Sequence, residues 1–280
     1  MNIDGWSYYN HAAIPTVAPD EAVNLLPIED KSIWNISGGF SMLSRWTTDF
    51  DCGYETNFWY IIKDTPFDIL SLKAKRRYQI NKGLKNFIVR EINPFDYKEI
   101  LFEIQMEAYS AYPKKYRPVL NKEIVLKNIE SWNEYVVFGA FFRETEELVG
   151  YALMFERDGR CIDFKALKVK PDFEKYAVNA ALVEGILQRY QSFISEGGYI
   201  CDGSRNINHE TAFQDYLEKN FGFRKAYCKL HIVYNPKIEW FIKILFVFRK
   251  IILKLDAIKI VHQINGVLRM EEIRREEGGV

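Results

Sequence analysis

The chain has 280 residues with 38 basic and 38 acidic side chains, so its formal net charge is zero at pH 7. Hydrophobic residues make up 48% and charged residues 27% of the chain, a composition that excludes a largely disordered protein. The balanced charge argues against a protein that binds nucleic acid through bulk positive charge, and the length allows one large domain or two small ones.

The chain divides into three segments by composition and periodicity. Residues 1–65 form an aromatic N-terminal extension, residues 66–235 alternate between strand-like and helix-like stretches, and residues 236–280 form a helical tail. We therefore predict a central domain at 66–235 with an extension before it and a tail after it. In chain order, the elements predicted for the middle segment are a strand at 87–92, helices at 97–109 and 122–132, strands at 135–142, 148–155 and 162–169, a helix at 176–194, a strand at 199–202, a helix at 210–220 and a strand at 225–234.

The strand predicted at 162–169 changes phase along its length. Its apolar side chains occupy even positions up to Ala166 and odd positions from Leu167 onward. Because side chains alternate between the two faces of a strand, a slip of one residue predicts a β-bulge after Ala166.

This order of elements, with its bulged strand at 162–169, resembles the GNAT acyltransferase superfamily over residues 87–235. The resemblance implies an α+β fold in α/β/α layers, a mixed sheet with splayed central strands, and an acyl-CoA that enters the gap between them. It also implies that the following helix presents its N-terminus to the pyrophosphate of the cofactor. The matching stretch at 167–178 contains no glycine, unlike the glycine-rich loop of that superfamily. The cofactor-binding residues expected from this resemblance are Leu167, Val169, Phe173, Lys175 and Tyr176.

A second resemblance is to the Fem-type aminoacyltransferases, which share that fold. The stretch DYLEKNFGF at 215–223 is similar to their Tyr-x-Phe-Lys-x-x-Phe-Gly ending, and the Lys/Arg-rich stretch at 71–87 is similar to a basic helix of theirs. This resemblance implies an aminoacyl-tRNA donor. Seven basic residues and no acidic one lie between Ser71 and Glu91, a pattern that is typical of an anion site or of a solvated face. We expect Arg76 and Arg77 to bind substrate there.

The densest polar cluster is DGSRNINHETAF at 202–213, between a predicted strand and a predicted helix. His209 lies near the start of that helix, where the helix dipole favours the neutral imidazole of a general base. We expect Asp202 to orient His209 or to bind the amine of the acceptor, and Tyr216 to act as the general acid. The alternative is a capped turn with a surface histidine and a buried tyrosine. The further substrate-binding residues that we predict are Arg205 and Asp163.

The tail contains an amphipathic stretch at 236–255. On a helix Glu239, Lys243, Lys250 and Lys254 fall on one stripe, and the apolar residues fall on the opposite arc. Such a face docks on the protein itself, on a second subunit in a homodimer, or on an anionic membrane surface through residues 238–255. The six charged residues of the stretch argue against a helix that spans a membrane.

Together these patterns predict an acyltransferase that moves an acyl group from a thioester or ester donor, acyl-CoA first, to an amine or hydroxyl. The acceptor would be a small molecule, a sugar or another glycan or cell-envelope precursor. The alternatives are a Fem-like transferase that uses aminoacyl-tRNA and a non-catalytic binding scaffold. We predict no metal site, because none of the four cysteines is spaced as a metal-binding pair. The N-terminus carries no secretory signal, so we expect a cytoplasmic protein, with attachment to a membrane surface as the alternative.

Overall fold

The computed structural model describes residues 1–112, 117–207, 212–256 and 258–276. Contacts divide the chain into two compact units. Unit 1 comprises Met1–Ile61, Ser204–Ala212 and Lys225–Val280, and unit 2 comprises Ile62–Gly203 and Phe213–Arg224. Unit 1 thus contains both the N-terminal and the C-terminal segment. The division of the chain into domains at residues 65 and 235 stays a prediction.

In the described part of unit 2, five strands form a mixed sheet in the order β9-β8-β7-β6-β5. Neighbours from β5 to β8 are antiparallel, whereas β8 and β9 run parallel. The strands are β5 (Phe87–Ile92), β6 (Val136–Phe142), β7 (Leu148–Glu156), β8 (Cys161–Val169) and β9 (Tyr199–Ser204). This arrangement confirms the predicted α+β fold class.

Helices cover both faces of this sheet. The helices are α2 (Ala74–Asn86), α3 (Lys98–Ser110), α4 (Lys122–Glu130), α5 (Val178–Arg189), α6 (Gln191–Ser195) and α7 (Ala212–Phe221). On one face, Leu101 of α3 and Ile129 of α4 pack against Tyr151 of β7. On the other face, α5 packs against β5, β6 and β7. Because both faces are buried, β6 and β7 are almost continuous apolar runs in the sequence.

The parallel strands β8 and β9 separate early. Their pairing runs from Cys161↔Tyr199 to Asp163↔Cys201, and no described residue pairs with the remainder of β8 on that side. On its other side, β8 carries a bulge at Lys165, because Met154 pairs with Phe164 and Leu153 with Ala166. The predicted splay is therefore present, but the bulge lies before Ala166 and not after it.

In unit 1, the described strands follow the order β1-β2-β3-β10-β4. The strands are β1 (Trp6–Tyr9), β2 (Ala12–Pro15), β3 (Leu43–Thr48), β4 (Phe58–Lys63) and β10 (Arg224–Tyr234), and the helices are α1 (Leu26–Glu29), α8 (Glu239–Val247), α9 (Arg249–Ile252) and α10 (Lys259–Glu276). The described part of the tail thus forms three helices and a short 3₁₀ turn at Leu253–Leu255. Ile242 of α8 and Ile273 of α10 pack with Ile232 of β10 in one apolar cluster. No described helix is both long enough and apolar enough to cross a membrane.

Candidate functional site

A cavity of about 310 Å³ opens in unit 2 beside the N-terminus of α5. Its walls come from α2, α5, α7 and the 3₁₀ turn Pro171–Tyr176 that precedes α5. Ile80 and Phe221 supply buried apolar surface. The polar lining residues are Arg76, Gln79, Glu174, Asn179, Tyr216 and Asn220.

Gly83 brings α2 close enough to α5 to form one wall of this cavity. A Cβ atom at Gly83 would lie 2.6 Å from the carbonyl oxygen of Ala177 and 3.0 Å from the amide nitrogen of Ala181. Since both neighbours are backbone atoms, a larger residue would push the helices apart. Arg76 lies two turns before Gly83 on α2 and therefore on the same helix face, and it lines the cavity together with Ala177 and Asn179 at the start of α5.

The N-terminus of α5 suits an anionic ligand. Ala177 caps the helix in the left-handed conformation, with φ 68° and ψ 40°, and no side chain accepts a hydrogen bond from the first turn. Free N–H groups at a helix N-terminus carry partial positive charge, and Arg76 adds a full positive charge. The side-chain oxygen of Asn179 is buried and has no hydrogen-bond partner among the described residues. A ligand that contributes an anionic oxygen and a hydrogen-bond donor would satisfy both groups.

The 3₁₀ turn before α5 holds three of the predicted cofactor-binding residues. The rings of Phe173 and Tyr176 pack on Phe142, with centroids 5.2 and 5.3 Å away. Lys175 is exposed, and its ammonium lies 5.1 Å from the centroid of the Tyr176 ring. The backbone N–H groups of Phe173 and Ala177 donate to the carbonyls of Lys170 and Glu174. The aromatic side chains therefore anchor the turn to the sheet.

The other two predicted cofactor-binding residues lie on β8 beyond the point where β9 departs. Leu167 is half-buried and pairs with Ala152, and Val169 is buried and pairs with Gly150. Both belong to the part of β8 whose side toward β9 is unpaired. An extended ligand can reach backbone groups of β8 along this gap.

Helix α7 connects this gap to the cavity. The ring of Phe213 meets Phe164 of β8 edge to face at 5.5 Å, and Tyr216 stacks on Phe213 at 6.1 Å. Tyr216 also lines the cavity, as does Phe221. Burial raises the pKa of the Tyr216 phenol, so the hydroxyl keeps its proton at neutral pH and can donate it.

Asp202 lies near the end of β9, on the other side of the gap. Burial raises the pKa of its carboxyl group to about 7, although a hydrogen bond with the side chain of Gln214 lowers it in part. A carboxyl group with this pKa exchanges its proton near neutral pH, as a general base requires.

Two of the predicted substrate-binding residues are engaged by unit 2 itself. The Asp163 carboxylate forms ion pairs with Arg157 at 2.6 Å and with Lys165 at 2.7 Å, and its side chain is 11% exposed. The Arg77 guanidinium donates a hydrogen bond to the carbonyl of Leu70. Neither contact points to a ligand.

Two further predicted residues belong to the segment after β9. Arg205 donates a hydrogen bond to the carbonyl of Asn57 and lies 4.5 Å above the ring of Trp59, all within unit 1. His209, the predicted base, lies outside the described residues. In the part of the chain that the structure covers, no group of three or more His, Cys, Asp and Glu side chains could hold a metal ion.

The sequence analysis missed the Asn179 and Gln79 side chains of the cavity. Each stands in a helix without a neighbouring motif, so periodicity alone does not single them out. Gly83 was the available signal, because a glycine inside a helix often marks a close approach of another backbone.

No family model and no curated protein sequence matches the chain. Among solved structures, FemX is similar with a TM-score of 0.51 and 8% identity, over 83% of this chain and 84% of that chain. L-PGS from Bacillus licheniformis is similar with a TM-score of 0.50 and 11% identity, over 87% and 84%. A conserved protein of unknown function from Bacteroides thetaiotaomicron VPI-5482 has a TM-score of 0.50 and 10% identity, over 79% and 78%. At such identities the likeness concerns the fold. The predicted resemblance to Fem-type proteins is thereby confirmed, and the chain has a GNAT-like fold.

Proposed function

We propose that the protein is an acyltransferase, which moves an acyl or aminoacyl group from an ester or thioester donor to an amine or hydroxyl. The acceptor is a small molecule, a sugar or a cell-envelope precursor. The observation that carries this proposal is the cavity at the N-terminus of α5, which Phe213 and Tyr216 join to the gap between β8 and β9.

The cavity would hold a phosphate of the donor. Arg76 offers a charge-assisted hydrogen bond, and the free N–H groups at the start of α5 offer more. The 3₁₀ turn uses part of its own N–H groups internally and carries no glycine, so Arg76 would take over contacts that a glycine-rich loop otherwise makes. Acyl-CoA remains the first donor that we propose.

The transfer itself would take place in the gap between β8 and β9. The acceptor nitrogen or oxygen attacks the acyl carbonyl carbon, and the bond from that carbon to the donor sulfur or oxygen breaks. Backbone N–H groups near the bulge at Lys165 would stabilise the oxyanion. Asp202 would take the proton of the acceptor, and Tyr216 would give its proton to the leaving group. His209 keeps the role of an alternative base that its sequence position predicts.

A second donor, aminoacyl-tRNA, is favoured by one observation on α2. Lys75, Lys82 and Lys85 of α2 and Lys73 at its N-cap form no ion pair with described residues. Unpaired cations on one element are suited to a polyanion, and binding would then weaken steeply as salt is raised.

Calorimetric titration with acetyl-CoA, longer acyl-CoA and charged tRNA tests the donor site. We expect micromolar binding of one donor class and a loss of about tenfold in affinity for Arg76→Gln, since a hydrogen bond to a charged group contributes about 1.5–3 kcal/mol. Lys127→Gln on α4 is the matched control, because Lys127 is exposed and does not line the cavity. Equal affinities of the two variants would refute the assignment of the cavity. Failure of every donor to bind would instead favour the scaffold alternative.

A further inference from the structure

The tail of unit 1 exposes a continuous apolar surface, which we call the outer face. It runs along α8, α9 and the turn Leu253–Leu255. Its side chains are between 47% and 73% exposed, although they are large and apolar. Its main residues are Trp240, Phe241, Val247, Phe248, Ile251 and Leu255. A contiguous exposed patch of this kind marks an interaction surface.

The opposite side of α8 already packs against the protein. Ile242 and Phe246 are buried, and Ile242 belongs to an apolar cluster with Leu43 and Tyr234. At 3.6 residues per turn these two positions lie across the helix from Trp240 and Val247. The helix therefore attaches to unit 1 through its inner side, and packing of the outer face on that same core is excluded.

A row of lysines borders the outer face. Lys243 of α8, Lys250 of α9 and Lys254 of the turn Leu253–Leu255 are all exposed. Lys243 pairs with Glu239 at 2.7 Å, whereas Lys250 and Lys254 form no ion pair within the described residues. An apolar arc with lysines at its edge is the pattern of a helix that lies in the interface of an anionic membrane.

The charges favour a lipid surface over a second copy of the chain. In a two-fold contact through the outer face, the lysine rims of both copies would enter one interface. Glu239 is the acidic residue of α8 that could balance them, and it is already engaged by Lys243. An anionic bilayer instead attracts each lysine near its surface and accepts the apolar side chains below the headgroups.

We propose that the outer face docks the protein on the surface of an anionic phospholipid bilayer, with α8 and α9 lying parallel to the membrane plane. Trp240 is placed at one end of the face, where an indole ring is suited to the headgroup region. This docking is independent of the donor cavity of unit 2 and needs no helix to cross the bilayer.

Cosedimentation of the full chain with lipid vesicles tests the proposal. One set contains phosphatidylcholine alone, and the other contains phosphatidylcholine mixed with phosphatidylglycerol. We expect binding to the anionic vesicles, reduced about fivefold for each lysine replaced in Lys250→Gln and Lys254→Gln. We expect the double variant Val247→Ser and Ile251→Ser to reduce binding by about tenfold or more, since it removes two exposed aliphatic side chains that would enter the bilayer.

The matched control is Ile124→Ser, because Ile124 is 60% exposed on α4 and does not belong to the outer face. Thermal unfolding of each variant verifies that it is folded. Absence of binding to anionic vesicles, or equal binding of the control and the Val247/Ile251 variant, would overturn the proposal. A wild type that sediments as a dimer and does not bind vesicles, together with a monomeric Val247/Ile251 variant, would also overturn the proposal. The outer face would then bind a second copy of the chain.

Discussion

Asp202 links the proposed chemistry to the stability of the fold. Burial raises the pKa of its carboxyl group from the ordinary value of 3.8 to about 7, against the opposing hydrogen bond with Gln214. The folded protein thus binds this proton more tightly than the unfolded chain does. The free energy of unfolding should therefore fall as the pH rises from about 4 to about 7, and it should level off above that range.

The size of this effect follows from the shift. Each pKa unit corresponds to about 1.4 kcal/mol, so a shift of about three units gives an upper limit of about 4 kcal/mol at pH 8. Because Asp202 is half-buried, we expect about 2–4 kcal/mol. Asp202→Asn removes the ionisation, so this variant should be more stable than the wild type at pH 8 and similar to it near pH 4.

Urea unfolding at a series of pH values measures the difference. Asp215→Asn is the matched control, because Asp215 is exposed on α7 and pairs with Lys219 on the surface. Parallel pH profiles of wild type and Asp202→Asn would refute the argument from burial. In the transfer assay, Asp202→Asn should lower kcat by about 100-fold or more, and the wild-type rate should rise through about pH 7.

Three further predictions follow from other contacts. Tyr216→Phe should lower kcat by about 100-fold with little change in donor affinity, as expected for a lost proton donor; unchanged kcat would remove Tyr216 from the mechanism. Gly83→Ala should cost about 1–3 kcal/mol in urea unfolding, because its Cβ would lie 2.6 Å from the Ala177 oxygen. Glu271→Ala should cost about 3–5 kcal/mol at neutral pH, since the buried carboxylate accepts hydrogen bonds from Arg274, Arg275 and Tyr234. Burial alone would raise the pKa of Glu271, but the hydrogen bonds lower it below the ordinary value of 4.5. The stabilisation by this carboxylate should therefore disappear only in more acidic solution. A variant that loses as much stability in acid as the wild type does would contradict the prediction.

The order of strands and helices could be predicted from the sequence, because periodicities of 2 and 3.6 residues are local. The strands predicted at 135–142 and 148–155 became β6 and β7 almost residue for residue, since both are buried on two faces. The GNAT-like fold followed from that order. The predicted helix at 176–194 was less accurate, because a 3₁₀ turn precedes α5 and the helix is interrupted at Tyr190 before α6.

The cavity and the exposure of the tail were decided by tertiary structure. Arg76 and Asn179 are far apart in the chain and line one cavity because Gly83 allows α2 and α5 to approach closely, which no local pattern encodes. The bulge lies at Lys165 because the register of β8 depends on its partner β7. The amphipathic tail was evident from its sequence alone, but only packing reveals that Ile242 turns inward and Trp240 outward. A sequence determines which residues share a helix face, whereas the rest of the fold determines which face is left for a partner.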